Sequence, residues 1–261
     1  MPLQSASLHH TFLILRSVLT RRSIGTAHAL YLRMTSLNVD QSIANVVLDH
    51  SECAAVFQRH RIDFCCRGGL TIAAAAQEKG VVVATLLREL EAEIATRHGA
   101  ERSMDPRELS TPRLVAYIIS KHHEYLRQAL PFVVALASKV SRVHGDHNPK
   151  LRELDVAVQQ LASALVTHLD EEEAQLFPAL TAATATQQAV APEHFTAMIN
   201  EHLAVGAMLE KIRSASDEFT LPDWACNSYR TLFAELQQVE RDTFVHVHIE
   251  NHVLQPRFIT P

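Results

Sequence analysis

From residue 110 to residue 258, apolar side chains return at every third or fourth position through four long stretches. The breaks fall only around Gly145, 182–191 and 215–221. A 3.6-residue period sustained over such lengths is a helix signal. The start signals agree with it: Thr111 caps a helix with Pro112 at its first position, Asn148–Pro149 repeats that grammar, and Pro192 and Pro222 each open another. Four helices of about 20 to 35 residues on short loops predict an up-down-up-down bundle. Composition supports an all-α chain. Only 7 of 261 residues are Gly while 34 are Ala, so positive-φ turns are scarce and helix is favoured. An all-β sandwich and a Gly-rich nucleotide-binding α/β fold are thereby excluded.

The bundle, 111–258, is preceded by a small helical domain over 37–99. Ser51 is placed to cap Glu52–His60, and Thr71 to cap 72–79, which stops at Gly80. Val82–His98 follows, with Leu86, Leu87, Leu90 and Ile94 on one stripe and Gly99 as its stop. Residues 100–110, polar and carrying Pro106, read as a linker. Residues 1–36 hold Arg16, Arg21, Arg22 and Arg33 and no acid. That composition suits a presequence, but the simpler expectation is a disordered extension or a misassigned start, with Met34 as the true first residue. Net charge is -5 with no basic tract, which argues against a nucleic-acid partner. No run approaches the ~18 apolar residues of a membrane span. Four Cys, two of them adjacent, do not make a disulfide framework, so a reducing, cytoplasmic setting is expected.

Chemistry enters through a repeat. His168-x-x-x-Glu172-x-x-x-Leu176-x-Pro178 returns as His246-x-x-x-Glu250-x-x-x-Leu254-x-Pro256. Residues at i and i+4 share a helix face. On the second bundle helix the apolar stripe runs Leu154, Val158, Leu161, Leu165, His168, Glu172, Leu176. On the fourth it runs Leu232, Leu236, Val239, Thr243, His246, Glu250, Val253. Both acids therefore face the core, where a lone carboxylate is costly and must be paired, protonated or metal-bound. His202 lies in the corresponding stripe of the third helix. On the first helix periodicity does not choose between His122 and His123. His123 and His168 are 45 residues apart and His202 and His246 are 44 apart, as in a duplicated helical hairpin.

Four inward His and two inward Glu point to a two-metal site, each metal on two imidazoles with bridging carboxylates and an open or solvent-derived position. The donor set suits iron, and sequence does not exclude manganese or zinc. A single core His is usually a hydrogen-bonded core residue, but two buried His–Glu pairs at one spacing are hard to obtain by accident. The other candidates read as structural. Glu171 and Glu173 are solvated charge, His248 and His252 point away from the motif, and His144 and His147 lie in a solvated turn. Cys53 and Cys226 read as core.

These residues resemble the repair-of-iron-centres family, di-iron proteins with a hemerythrin-like bundle. The small domain resembles that family's N-terminal domain through Asp49–Phe57 and Arg61–Gly69, with its adjacent Cys65 and Cys66. The likeness covers about 40–258. In that family the first ligand His lies eight residues before a Pro, so Pro131 selects His123. The resemblance thus implies His123, His168, Glu172, His202, His246 and Glu250 as ligands of two iron ions in an oxo- and carboxylate-bridged centre. Two positions depart from the family pattern: Arg67 stands between Cys66 and Gly68, and Gln255 stands where an aromatic precedes the Pro. Cys65 and Cys66 are read as reactive, on an open loop where Arg67 lowers a thiol pKa.

The resemblance implies repair of iron–sulfur clusters damaged by nitrosative or oxidative stress, by iron donation or NO chemistry. Damaged iron–sulfur proteins and NO or O₂ are the expected partners, with a homodimer compatible with the family. Rival readings are a hemerythrin-like O₂ or NO sensor or carrier, NO reduction at the centre, and a metal-free structural bundle.

Overall fold

The computed structural model describes residues 37–96, 104–186 and 192–259. The expectations for 1–36 and for Gly99 fall outside that range. Four short helices come first: α1 (Ile43–Asp49), α2 (Cys53–Arg59), α3 (Ile72–Glu78) and α4 (Val83–Thr96). The rods of the bundle follow. α5 is Thr111–Ile118 continued through a π turn, Ile119–His123, into Glu124–His144. α6 is Lys150–Glu171, a π turn Glu172–Leu176, and Phe177–Thr186. α7 is Pro192–Ala215, and α8 is Asn227–Ile249 followed by a π turn, Glu250–Leu254. Among the described residues no strand forms beyond a single bridge between Ser42 and Thr71. No described helix is long and apolar enough to cross a membrane.

Local chemistry explains most of the boundaries. Thr71 Oγ1 accepts the Ala74 N–H and caps α3, and Gly80 supplies the positive φ, +67°, just past its end. Asn148 Oδ1 accepts the Lys150 N–H at the head of α6. Four starts differ from expectation. Pro149 stands at the cap of α6 rather than at its first helical position. Glu52, not Ser51, stands at the cap of α2, and Ser110, not Thr111, at that of α5. Pro222 closes a turn by accepting the Ala225 N–H, and α8 begins only at Asn227. Three consecutive left-handed residues, Asp217, Glu218 and Phe219, reverse the chain before it.

The bundle packs α6 between α5 and α7, with α8 against α5. Every position of the α6 and α8 stripes named above is buried. Two apolar clusters form, one at each end. The first includes Leu126, Leu165, Leu169, Val205 and Val239, and the second Ile118, Leu176, Phe177, Met198 and Ile249. The His and Glu side chains occupy the layer between them. The N-terminal helices build their own core around Phe57, Phe64, Ile72 and Leu90, and that core takes in Val247 of α8. Phe64 also packs on Phe244, ring centroids 5.8 Å apart, so the small domain sits on the helix that carries the second His–Glu motif.

Candidate metal centre

The three π turns bear on the site directly. One ends at His123; the others begin at Glu172 and Glu250. In each, an N–H reaches back five residues: Glu124 to Ile119, Phe177 to Glu172, Gln255 to Glu250. The extra residue per turn widens the helix locally and re-aims side chains, a common device at functional sites. Pro178 and Pro256, which lack an N–H, follow two of these turns and prevent the wider ladder from continuing.

All six residues predicted from sequence converge. Their donor atoms form two groups of four, His123, His246, Glu172 and Glu250 in one, and His168, His202, Glu172 and Glu250 in the other. Within each group the two imidazole Nε2 atoms are 3.2 Å apart. Glu172 Oε2 lies 3.5 Å from His123 Nε2 and His168 Nε2, and 3.9 Å from His246 Nε2. Glu250 reaches His246 Nε2 at 2.9 Å and His202 Nε2 at 3.2 Å. Both carboxylates therefore stand between the groups. The imidazoles pair across the duplicated hairpins, α5 with α8 and α6 with α7, an arrangement the repeat alone does not reveal.

Outer contacts aim three of these rings. His123 Nδ1 meets Glu173 Oε1 at 2.9 Å, His168 Nδ1 meets Glu201 Oε2 at 2.7 Å, and His202 Nδ1 meets Asn251 Oδ1 at 2.9 Å. With Nδ1 donating outward, Nε2 is left as an inward lone pair, the usual way a metal-binding imidazole is oriented. His246 differs: its Nδ1 is buried with no hydrogen bond, and the His122 ring stacks on it at 5.7 Å. His122 Nδ1 is turned to Asp242, so the structure brings His123 to the centre and sets His122 beside it.

Electrostatics fit a site built for positive charge. Burial, reinforced by Glu250, pushes the Glu172 carboxyl well above the ordinary range. Burial opposes ionisation of Glu250 too, yet His246 and His202 hold it well below that range. Burial lowers His246 to about 3, and lowers His168 with help from His202, so these rings are neutral lone-pair donors at neutral pH. Neither oxygen of Glu172 has a hydrogen-bond donor, although both are buried. Orphaned buried carboxylate oxygens are rare and costly, and a cation shared by the two groups would satisfy them.

Several surrounding residues lie where sequence did not put them. Glu173 is not free solvated charge but the partner of His123. His248 and His252 point away from the motif, as expected, and onto the cysteine loop: His248 Nδ1 donates to the Phe64 carbonyl and His252 Nε2 to the Cys65 carbonyl. His147 is exposed in the turn after α5, as expected, whereas His144 ends the helix half-buried, both beside Trp224. Cys226 is exposed at the cap of α8 rather than core. Cys53 is core, as expected. The cysteine loop is less open than predicted. Burial, followed by its contacts with Cys66 and Asp63, pushes the Cys65 thiol well above its usual pKa, and Arg67 is drawn to Glu78 instead. Cys66 is half-buried and borders a cavity of about 290 Å³ between the small domain and the bundle. The signal for Glu173 and Asn251 was present: each directly follows the Glu of its motif copy.

A His/Glu-lined bundle of this kind defines a hemerythrin-type cation-binding protein, and residues 114–258 match the hemerythrin HHE cation binding domain. Residues 39–94 match the ScdA_N domain, a domain of unknown function. The chain is 30% identical over 217 residues to the iron-sulfur cluster repair protein ScdA of Staphylococcus haemolyticus, spanning 83% of this chain and 96% of that protein. It is 31% identical over 218 residues to the iron-sulfur cluster repair protein YtfE of Yersinia pseudotuberculosis, spanning 84% and 96%. The chain belongs to the ScdA/YtfE family of iron–sulfur cluster repair proteins.

Proposed function

We propose that this chain repairs damaged iron–sulfur clusters from a two-iron centre. His123 and His246 hold one iron, His168 and His202 the other, and Glu172 and Glu250 are shared between them. Two such irons supply a redox-variable binding position for NO or O₂ and a store of exchangeable metal. The chain's own groups do the rest. Glu173, Glu201 and Asn251 keep Nε2 of three imidazoles aimed inward. The apolar clusters on either side restrict water. A groove between α6 and α7, lined by Thr167, His168, Glu201 and Met208, gives a path to the His168 side. Glu172 takes up a proton when an iron leaves, which relieves the cost of a bare buried carboxylate.

The single observation that carries this reading is the unpartnered Glu172 carboxylate at the meeting of four imidazoles. Damaged iron–sulfur proteins are the clients, and iron delivered to them is cargo. Iron analysis with Mössbauer spectroscopy on anaerobically purified protein tests it: two irons per chain are expected, lost on His168→Ala or His246→Ala. Protein with only trace iron under those conditions overturns the reading. Repair is separated from an O₂ or NO sensor by reactivation of a nitrosylated iron–sulfur enzyme, which a sensor would not give. Headspace N₂O in the presence of a reductant reads NO reduction.

A further inference from the structure

Among the described residues, one other cluster brings metal-binding atoms together. Asp63, Cys65 and Cys66 each offer a donor atom within 4.8 Å of the other two. We propose that these three side chains form a separate cation site, which takes one borderline-soft divalent ion on two sulfurs and a carboxylate, with its fourth position facing the cavity. That the ion is ferrous iron in transit rests on the repair reading; the site itself does not.

Geometry is the main warrant. The sulfurs are 3.6 Å apart, and two sulfurs on one tetrahedral ion at ~2.3 Å would be about 3.8 Å apart. Cys65 Sγ lies 3.0 Å from Asp63 Oδ1. That same oxygen accepts the N–H groups of Cys65 and Cys66, at 3.1 and 2.8 Å, so the carboxylate is fixed over the pair before any ion arrives. Asp63 and Cys66 also line the cavity, which supplies an entry path and room for water or a client's ligand at the open position.

The loop is held rigidly against the α8 extension. Its carbonyls accept from three side chains around Glu250: Phe64 from His248, and Cys65 from Asn251 Nδ2 at 3.1 Å and His252 Nε2 at 2.8 Å. Gly68 permits this approach, since a Cβ there would lie 2.4 Å from His252 Nε2 and 2.7 Å from Ala44 Cβ. Asn251 binds both sites at once, with Oδ1 on His202 Nδ1 and Nδ2 on the Cys65 carbonyl. A preorganised donor set costs less to assemble around an ion.

The binding step is an exchange without redox. One divalent ion enters, two S–H bonds break, two metal–sulfur bonds form, and two protons leave to solvent. Because protons are released, binding tightens as pH rises.

Cobalt titration of the reduced, iron-loaded full chain tests the proposal. A sulfur-to-cobalt charge-transfer band that saturates at one equivalent is expected. Cys66→Ser, a near-isosteric change at a half-buried position, should lose the band with helix content unchanged by circular dichroism, and Asp63→Asn should weaken it. His246→Ala should lose bundle iron but keep the band, which separates failure of this site from failure of the di-iron reading. Absence of the band in the wild type, or its survival in Cys66→Ser, overturns the proposal.

Discussion

The two copies of the His–Glu motif have the same spacing and unlike surroundings. In the first, His168 is held by Glu201, and Glu172 has no hydrogen-bond donor and favours its protonated form. In the second, His246 has no partner on Nδ1, while Glu250 stays ionised against His246 and His202. The residue after each Glu differs as well. Glu173 places a carboxylate on His123, whereas Asn251 places a neutral amide on His202 and ties that ring to the cysteine loop. A duplicated scaffold thus carries two inequivalent motif copies, the first opening on the groove between α6 and α7 and the second facing the small domain.

The largest expected effect comes from removing a shared carboxylate. Glu250→Ala should lose both irons, because Glu250 belongs to both groups of donors; metal analysis reads this, and retention of a full complement would break the sharing. Neutralising each carboxylate should then move iron-free stability in opposite directions. Glu172→Gln removes an unsatisfied acid and should stabilise the metal-free protein, while Glu250→Gln strips His246 and His202 of their partner and should destabilise it. Each change should be about 1–3 kcal/mol in denaturant melts, and equal signs would erase the distinction.

Acid should act next. His246 and His248 titrate near 3 in the folded chain because they are buried, against about 6.5 when unfolded. The unfolded chain therefore binds more protons between those values, so the stability these groups contribute is complete above about pH 6.5 and declines towards pH 3. Metal-free melts at stepped pH check it, and His248→Phe should flatten the slope without touching the metal. The smallest effect is a tuning one. Asn251→Asp would give His202 a carboxylate like those on His123 and His168. With two such carboxylates behind the His168–His202 position and one behind the His123–His246 position, it should move the Mössbauer parameters of the two irons further apart while leaving helix content unchanged.

Much of this was legible in one dimension. The stripes on α6 and α8 are buried at every position named from periodicity, because a 3.6-residue repeat leaves a long helix only one way to face its core. The site layer followed from finding acids inside those stripes. His123 was different: periodicity left it level with His122, and the family's spacing to Pro131 chose between them. Both rings are buried in the fold, and the π turn ending at His123 sets which one reaches the centre. No hydrophobic pattern announces a π turn, since it changes a single hydrogen-bond register. The exposure of Cys226 and the depth of Cys65 were likewise beyond reach, as each depends on what a distant helix places over it.

By itself, then, the sequence determined the helices, their buried faces and five of the six side chains that meet between two apolar clusters, since each follows from local spacing and the cost of stranding charge in a core. The sixth, His123, needed the family's spacing to Pro131. Tertiary structure decided the pairings: α5 with α8, α6 with α7, Glu173 on His123, and Asn251 between His202 and the cysteine loop. Those depend on which rods lie side by side and at what rotation. Periodicity carries no such information, because it specifies the face a helix buries and not the neighbour it buries it against.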